Sequence, residues 1–178
     1  MSRRAPLARL SVLKKTSPLL WAESLFCQSL YLRRNGLYEL ALDKAVEAKR
    51  YNPTLYGVSG ILMSLYRVLK MNEQLTEEAR DAEHDLQGRE YVDETSIFEV
   101  ANWYFINERF QHCFVMLDHF VVHYPCTKKT LMLLLKSAVK SCSELPPETL
   151  HIVNSYLASH SQNSQFRVVT ERLLDKLV

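Results

Sequence analysis

The chain has 178 residues, of which 47% are hydrophobic and 24% are charged, and its formal net charge at pH 7 is +2. This composition is typical of a folded domain that needs neither disulfides nor structural metal. The near-neutral net charge argues against a nucleic-acid-binding domain, which usually carries a dense stripe of Lys and Arg side chains. The 4 glycines and 6 prolines are too few for a many-stranded sandwich or for glycine-rich nucleotide-binding loops, so they favour helices.

Residues 1–16 are basic and contain no acidic side chain. Arginines, lysines and serines alternate there with leucine and valine, which is typical of a mitochondrial transit peptide. A short basic arm or a capping helix would have the same composition, so both interpretations stay open. No apolar stretch in the chain reaches the roughly 18 residues that a membrane span needs. We therefore expect an intracellular protein, cytoplasmic or nuclear, with the mitochondrion as the alternative.

Three consecutive segments share one spacing of small and apolar residues. In each segment, a triplet of residues at steps of 4 and 3 is followed nine residues later by a second triplet at the same steps. The six triplets begin at Leu25, Ala41, Ser59, Leu75, Ile97 and Cys113. The second triplets, which begin at positions 41, 75 and 113, indicate a repeating unit of about 34 residues. The longer second interval indicates a four-residue insert at residues 90–93.

This spacing predicts a pair of antiparallel helices in each segment. Steps of 4 and 3 place a triplet on one helix face, and nine residues leave room for a tight turn. Small residues such as Ser29 and Ala45 on these faces let two helix axes approach closely. The helix-boundary residues agree with this prediction. Ser17–Pro18 is typical of a cap and helix start, while Asn35–Gly36 and Asn52–Pro53 are typical of helix ends.

Residues 34–53, RNGLYELALDKAVEAKRYNP, resemble the second half of a tetratricopeptide repeat. The positions that match that family's turn glycine, aromatic, small and terminating proline residues are Gly36, Tyr38, Ala41, Ala48 and Pro53. Residues 107–125 resemble the same half-repeat, with matching residues at Phe110, Cys113, Phe120 and Pro125. The sequence also departs from the family pattern. Lys70 and Glu108 stand where the family has its turn glycine, the usual alanines are replaced by larger residues in residues 107–125, and no proline follows Ala82 in the middle unit.

The resemblance covers about residues 20–125 and implies an all-α fold. In that fold, antiparallel helical hairpins stack as a right-handed superhelix, here with three to four repeats. Generic helical hairpins of unrelated origin remain the alternative. The corresponding domain boundaries are 1–16 for the basic arm or targeting segment, 17–162 for the repeat domain and 163–178 for a carboxy-terminal capping helix.

Beyond Cys126 the repeat loosens. Leu131 and Ala138 predict the first helix of a fourth hairpin, but the nine-residue step then lands on Pro147. A longer turn is therefore expected, with the next helix starting at Pro147 or Glu148. In the capping helix, the predicted apolar stripe is Phe166, Val169 and Leu173, and the residues predicted to face water are Arg167, Glu171, Arg172 and Asp175.

The common catalytic signatures are absent from the sequence: there is no P-loop, no GxGxxG, no HExxH and no GxSxG motif. We therefore expect neither catalysis nor a cofactor. The cysteines show no metal-binding spacing and are interpreted as small core residues in a reducing compartment; they are Cys27, Cys113, Cys126 and Cys142.

Two polar clusters leave alternatives. The first is His112, His119 and His123 on one helix, where the pair four apart has the spacing that chelates a divalent cation. No carboxylate or cysteine joins them at ligand spacing, so we interpret them as surface histidines and keep a metal-dependent enzyme as the competing hypothesis. The second cluster, residues 73–85, is interpreted as the solvated side of a helix, with an acidic docking surface as the alternative.

The resemblance implies that the first helices of successive hairpins line a concave groove. Beside the packing triplets of these helices the sequence mixes cations with aromatics, and the predicted partner-binding residues are Phe26, Leu30, Arg33, Arg34, Arg67, Phe98, Asn102 and Phe105. Gly60 and Ser64 belong to the same row. Aromatic pockets flanked by arginines suit a partner segment that carries acidic side chains. Alternatively, the apolar members of this row are covered by the terminal helices.

We therefore expect a non-catalytic adaptor or scaffold subunit of a multiprotein complex that binds a segment of a partner protein. The alternative is a mitochondrial helical-repeat protein that associates with RNA or a ribonucleoprotein through its basic ends. Self-association through an end hairpin also stays open.

Overall fold

The computed structural model describes residues 17–87, 93–159 and 164–177, and within these ranges it contains nine helices and no strand. In chain order the helices are α1 Pro18–Arg34, α2 Tyr38–Tyr51, α3 Val58–Val68, α4 Asn72–Gln87, α5 Glu94–Ile106, α6 Phe110–His123, α7 Lys128–Ser141, α8 Pro147–Ser159 and α9 Ser164–Leu174. The predicted all-α class is confirmed. Within the same ranges, no helix has both the length and the apolar character to cross a membrane.

The chain divides into two compact units, residues 1–96 and residues 97–178. In the first unit, α1 packs on α2, α2 on α3 and α3 on α4, and α1 also contacts α3. The core of this unit combines large side chains, such as Leu25 and Leu62, with the fully buried alanines of α2. These alanines let α1 and α2 approach so closely that the Ser29 hydroxyl donates a 2.8 Å hydrogen bond to the carbonyl of Ala41.

In the second unit, α6 packs on α7 and α8, and α9 packs on α7. The apolar core includes Leu117 of α6, Leu134 of α7 and Val153 of α8. Two buried threonines add polar contacts. The hydroxyl of Thr149 donates to Asp118 Oδ1 at 2.5 Å, and that of Thr170 donates to Met132 Sδ at 3.7 Å.

The triplets predicted from the repeat form the buried faces of α1 to α6. Fifteen of their eighteen residues are buried, and the other three, Leu32, Ser59 and Tyr66, are half-buried. The predicted helix ends are also confirmed, because α1 ends at Arg34 and α2 ends at Tyr51. The helix after the fourth turn starts at Pro147, as expected.

One type of turn ends α1, α3, α5 and α7. Its central residue has a positive φ angle: 75° at Gly36, 60° at Lys70, 59° at Glu108 and 52° at Cys142. The N–H of the next residue donates to the carbonyl five residues earlier, and the four pairs are Leu37 to Leu32, Met71 to Tyr66, Arg109 to Tyr104 and Ser143 to Ala138. This is the Schellman pattern of helix termination, and its recurrence at these four positions follows the period of the sequence repeat.

Two local predictions, the Ser17 cap and the apolar stripe of α9, need correction, and two others concern residues that the structure does not describe. Ser17 precedes α1, but its side chain makes no capping hydrogen bond; only its carbonyl accepts, from the Trp21 N–H. In α9, Val169 is exposed, and Thr170 is buried in its place, because the inward face follows Phe166 at a step of 4 rather than 3. Residues 1–16 and most of the predicted insert lie outside the described residues.

Candidate partner-binding surface

In α1, four of the predicted binding residues follow the buried face of Leu25 and Ser29. Phe26, Leu30 and Arg33 are half-buried, and Arg34 is exposed. Phe26 and Leu30 pack against the core of the first unit. The Phe26 ring also lies beside Gly57, where an added Cβ would come within 3.4 Å of its Cζ atom. The aromatic and aliphatic side chains are therefore held in place, whereas the arginines follow them at the end of the helix.

In α3, the prediction is only partly right. Arg67 is half-buried in the last turn of the helix, at the position that the repeat makes equivalent to Arg33. However, Gly60 and Ser64 are both buried. A Cβ on Gly60 would lie 2.7 Å from the Ser96 backbone nitrogen, and the Gly60 N–H donates to the Ser96 hydroxyl at 3.1 Å. The missing side chain thus serves close backbone packing.

In the second unit, Phe98, Asn102 and Phe105 are half-buried and lie one turn apart along α5. Phe105 makes an edge-to-face contact with Phe110 of α6, with ring centroids 5.2 Å apart. This ring therefore has a role in hairpin packing as well as a place on the predicted surface. The predicted residues thus lie in two units, those of α1 and α3 in the first and those of α5 in the second, and their union into one groove stays a prediction.

The three histidines of α6 are exposed but do not act as one cluster. His112 stacks on Tyr104, with centroids 5.4 Å apart, while His119 and His123 contact each other edge to face at 4.6 Å. Within the part of the chain that the structure describes, no group of three His, Cys, Asp or Glu residues could hold a metal ion.

The prediction that all four cysteines are core residues is wrong for three of them. Cys27 and Cys142 are exposed, Cys126 is half-buried, and only Cys113 is buried among these thiols. Cys142 is exposed because it occupies a turn rather than a helix face. Burial raises the pKa of the Cys113 thiol to about 11, against a smaller lowering by its hydrogen bond with Ser137. This thiol therefore stays protonated near neutral pH.

Sequence reasoning missed a polar contact between α2 and α4. Both carboxylate oxygens of Glu78 lie 2.8 Å from Lys49 Nζ, and the Glu78 side chain is only 8% exposed. The charge pattern of residues 73–85 instead predicts a solvent-exposed position for Glu78. Its position next to the buried Ala79 was the available signal, since a carboxylate on the edge of a buried face needs a partner. Burial, together with Glu78 and then Glu77, raises the pKa of the nearby Tyr66 phenol.

Comparisons of the chain with protein-family models, with curated proteins and with solved structures each gave no match.

Proposed function

We propose that this chain is a tetratricopeptide-like array that serves as a non-catalytic adaptor or scaffold subunit of a multiprotein complex. The array would consist of three to four hairpins stacked as a right-handed superhelix, with α9 as its carboxy-terminal cap. It would bind a segment of a partner protein along the first helices of the hairpins.

The recurrent turn is the observation that carries this proposal. At the ends of α1, α3, α5 and α7, one residue adopts the left-handed backbone conformation and the same type of backbone hydrogen bond closes the turn, at nearly constant intervals along the chain. Lys70 and Glu108 adopt this conformation although neither is a glycine, so the backbone repeats even where the sequence departs from the pattern. Helix pairs that recur at a fixed period stack on their neighbours, and such arrays generally act through extended binding surfaces.

The side chains on the first helices favour a partner segment with acidic and apolar residues. Arg33 and Arg34 stand at the end of α1, and Arg67 stands at the equivalent place in α3. Guanidinium groups bind carboxylates through paired hydrogen bonds. Phe26 and Leu30 would supply apolar contacts beside them. A partner helix or strand with carboxylates next to large apolar side chains would complement both features.

A pull-down of the tagged chain, followed by mass spectrometry at physiological and raised salt, tests the proposal. The informative variant is Arg33→Glu/Arg67→Glu, and the matched control is Arg80→Glu/Arg172→Glu, which reverses two exposed arginines on α4 and α9. Circular dichroism checks that both variants keep their helices. We expect one set of partner proteins to be lost from the first variant, by about tenfold or more in affinity, and retained by the control.

Two results would refute the groove. If the Arg33→Glu/Arg67→Glu variant captures the same partner proteins as the parent chain, the binding surface lies elsewhere on the molecule. Recovery of RNA alone would instead favour the mitochondrial alternative, for which the acid-free sequence of residues 1–16 is the motivating observation. That alternative predicts cleavage of these residues in cells and RNA binding that weakens steeply with salt.

A further inference from the structure

Helix α1 carries an exposed stripe on the side opposite its buried residues. Ala22, Leu25 and Ser29 are buried on the side where α1 packs on α2 and α3. From Leu20 onward, the exposed residues of α1 follow one another at steps of 3, 4, 4 and 3. This spacing keeps them on one face of the helix. We call this set the α1 stripe, and its members are Leu20, Glu23, Cys27, Tyr31 and Arg34.

The α1 stripe exposes large apolar side chains along its length. Leu20 is 53% exposed and Tyr31 is 68% exposed, and the exposed Cys27 lies between them. The face of a helix opposite the core usually carries charged and polar residues. The α1 stripe instead combines apolar side chains with one acid and one base, which is typical of a helix–helix contact.

The two charged residues of the stripe have opposite signs and lie towards opposite ends of the helix. Neither Glu23 nor Arg34 makes an ion pair with another residue that the structure describes. At 1.5 Å of rise per residue their Cα atoms are about 16 Å apart along the axis, so the two cannot pair with each other. A partner helix with the reverse order of charges could pair with both. A second copy of α1, turned end to end, has that order.

The spacing of the stripe is symmetric about Cys27. If two copies of α1 pair antiparallel about a twofold axis at Cys27, Tyr31 of one copy lies opposite Glu23 of the other. The tyrosine hydroxyl can then donate a hydrogen bond to that carboxylate. Arg34 of the first copy lies about 4.5 Å further along the axis and can reach the same carboxylate. Parallel pairing would instead bring like charges together, which is unfavourable.

We propose that the α1 stripe binds the α1 stripe of a second copy of this chain in an antiparallel, twofold-symmetric contact. Such a contact is isologous, so it closes at the dimer. A strip about 25 Å long and about 10 Å wide lies at the low end of interface sizes, so we expect a reversible dimer with a Kd in the micromolar range. The contact does not depend on the proposed function, although Arg34 belongs both to this stripe and to the predicted binding row.

Sedimentation of the full chain at about 1–100 µM under reducing conditions measures the dimer. Tyr31→Glu places a carboxylate opposite Glu23 of the other copy, so it should weaken dimerisation about tenfold or more. Val115→Glu is the matched control, because Val115 is 56% exposed in the middle of α6. It should dimerise as the parent chain does. Circular dichroism checks that both variants keep their helices.

An exchange of charges tests the antiparallel order. Glu23→Arg should weaken the dimer because it faces Arg34 of the other copy, and Arg34→Glu should weaken it for the corresponding reason. The double variant Glu23→Arg/Arg34→Glu restores opposite charges across the contact and should recover most of the lost affinity. Such recovery is expected from a direct contact and not from an independent effect of each substitution on folding.

Cys27 tests the position of the twofold axis. Packed helices have axes about 8–10 Å apart, and their Cα atoms lie about 2.3 Å from each axis. The two facing Cys27 Cα atoms would therefore lie within about 6 Å of each other, a distance that a disulfide can span. Diamide, which accepts the two electrons and two protons of a thiol pair, should link the parent chain into covalent dimers. Cys27→Ser should abolish this product, whereas Cys142→Ser, which removes another exposed thiol, should retain it.

Several outcomes would overturn the proposal. A parent chain that stays monomeric up to about 100 µM lacks the contact. Equal dimerisation by Tyr31→Glu and Val115→Glu, or no recovery in the double variant, would place any dimer contact elsewhere. A covalent dimer that survives Cys27→Ser would exclude the axis at Cys27. If the chain dimerises only after deletion of residues 1–16, that segment and not a second copy occupies the stripe in the full chain.

Discussion

Replacing Glu108 by glycine should stabilise the protein through its backbone. Glu108 has a φ angle of 59° in the turn after α5, a conformation that costs a residue with a Cβ about 1–2 kcal/mol. Glycine avoids this cost but loses about 0.5–1 kcal/mol more chain entropy on folding. The net expectation is an increase of about 0.5–1 kcal/mol in the free energy of unfolding. Lys70→Gly, at a φ angle of 60°, should behave alike.

Urea unfolding followed by circular dichroism measures the effect. With a denaturant slope of about 2 kcal/mol per molar urea, the midpoint should rise by about 0.25–0.5 M while the slope stays unchanged. Glu108→Ala is the matched control, because it removes the same charge and keeps the Cβ. Gly36→Ala is the reciprocal change. It should destabilise by about 0.5–1 kcal/mol without any clash, since no atom lies within 4 Å of the added Cβ.

The controls also define the refutation. If Glu108→Ala stabilises the chain as much as Glu108→Gly does, then the lost carboxylate and not the φ angle is responsible. If Gly36→Ala has no effect, the left-handed turns carry no conformational cost, and the reasoning fails at all four of them.

Three further predictions concern buried contacts. Lys49→Met should lower the free energy of unfolding by about 1–3 kcal/mol because it leaves the Glu78 carboxylate unpaired. The loss should be smaller than for a fully buried pair, since Lys49 is 25% exposed. If urea unfolding of the double variant Lys49→Met/Glu78→Leu shows no recovery of stability, the broken ion pair is not the cause of the destabilisation. Gly60→Ala should cost about 1–3 kcal/mol in the same assay despite the better helix propensity of alanine, because its Cβ would meet the Ser96 nitrogen, and a stabilised variant would contradict this packing. The pKa of Cys113 rises from 9.0 to about 11 on folding. Between these pH values the thiol of the unfolded chain ionises first, so the free energy of unfolding falls as pH rises, by up to about 1.4 kcal/mol per pH unit. Cys113→Ala should lack this part of the pH dependence, and a stability–pH profile identical to that of the parent chain would refute the prediction.

The helices and their buried faces could be predicted because they depend on local spacing. Alanine at 41, 45 and 48 leaves α2 a single face on which another helix can pack closely, and all three are buried. The turns were harder to predict, because Lys70 and Glu108 have no intrinsic preference for positive φ. Packing of the flanking helices imposes the positive φ angle on Lys70 and Glu108. A sequence pattern that relies on glycine therefore does not predict these two turns.

The candidate surface was predictable only where it depends on helix phase. Phe26, Leu30 and Arg33 lie beside the buried face as the 3.6-residue period requires. Gly60 and Ser64 have the same phase in α3 and are nevertheless buried; at Gly60 the reason is that the first turn of α5 lies against it. The Lys49–Glu78 pair escaped prediction for the same physical reason: it depends on which helices become neighbours, and periodicity within one helix carries no information about that.

The four Schellman turns also bear on how the chain reaches its native state. Each turn is closed by a hydrogen bond between residues only five positions apart, and the Ser29–Ala41 bond within the first hairpin spans twelve. Contacts of such short range form quickly and cost little loop entropy. The hairpin of α1 and α2 is complete in sequence by Tyr51, so it can close on the ribosome before the later helices are synthesised. Folding of the first unit would then proceed vectorially, with the hairpin of α1 and α2 formed before α3 packs on it.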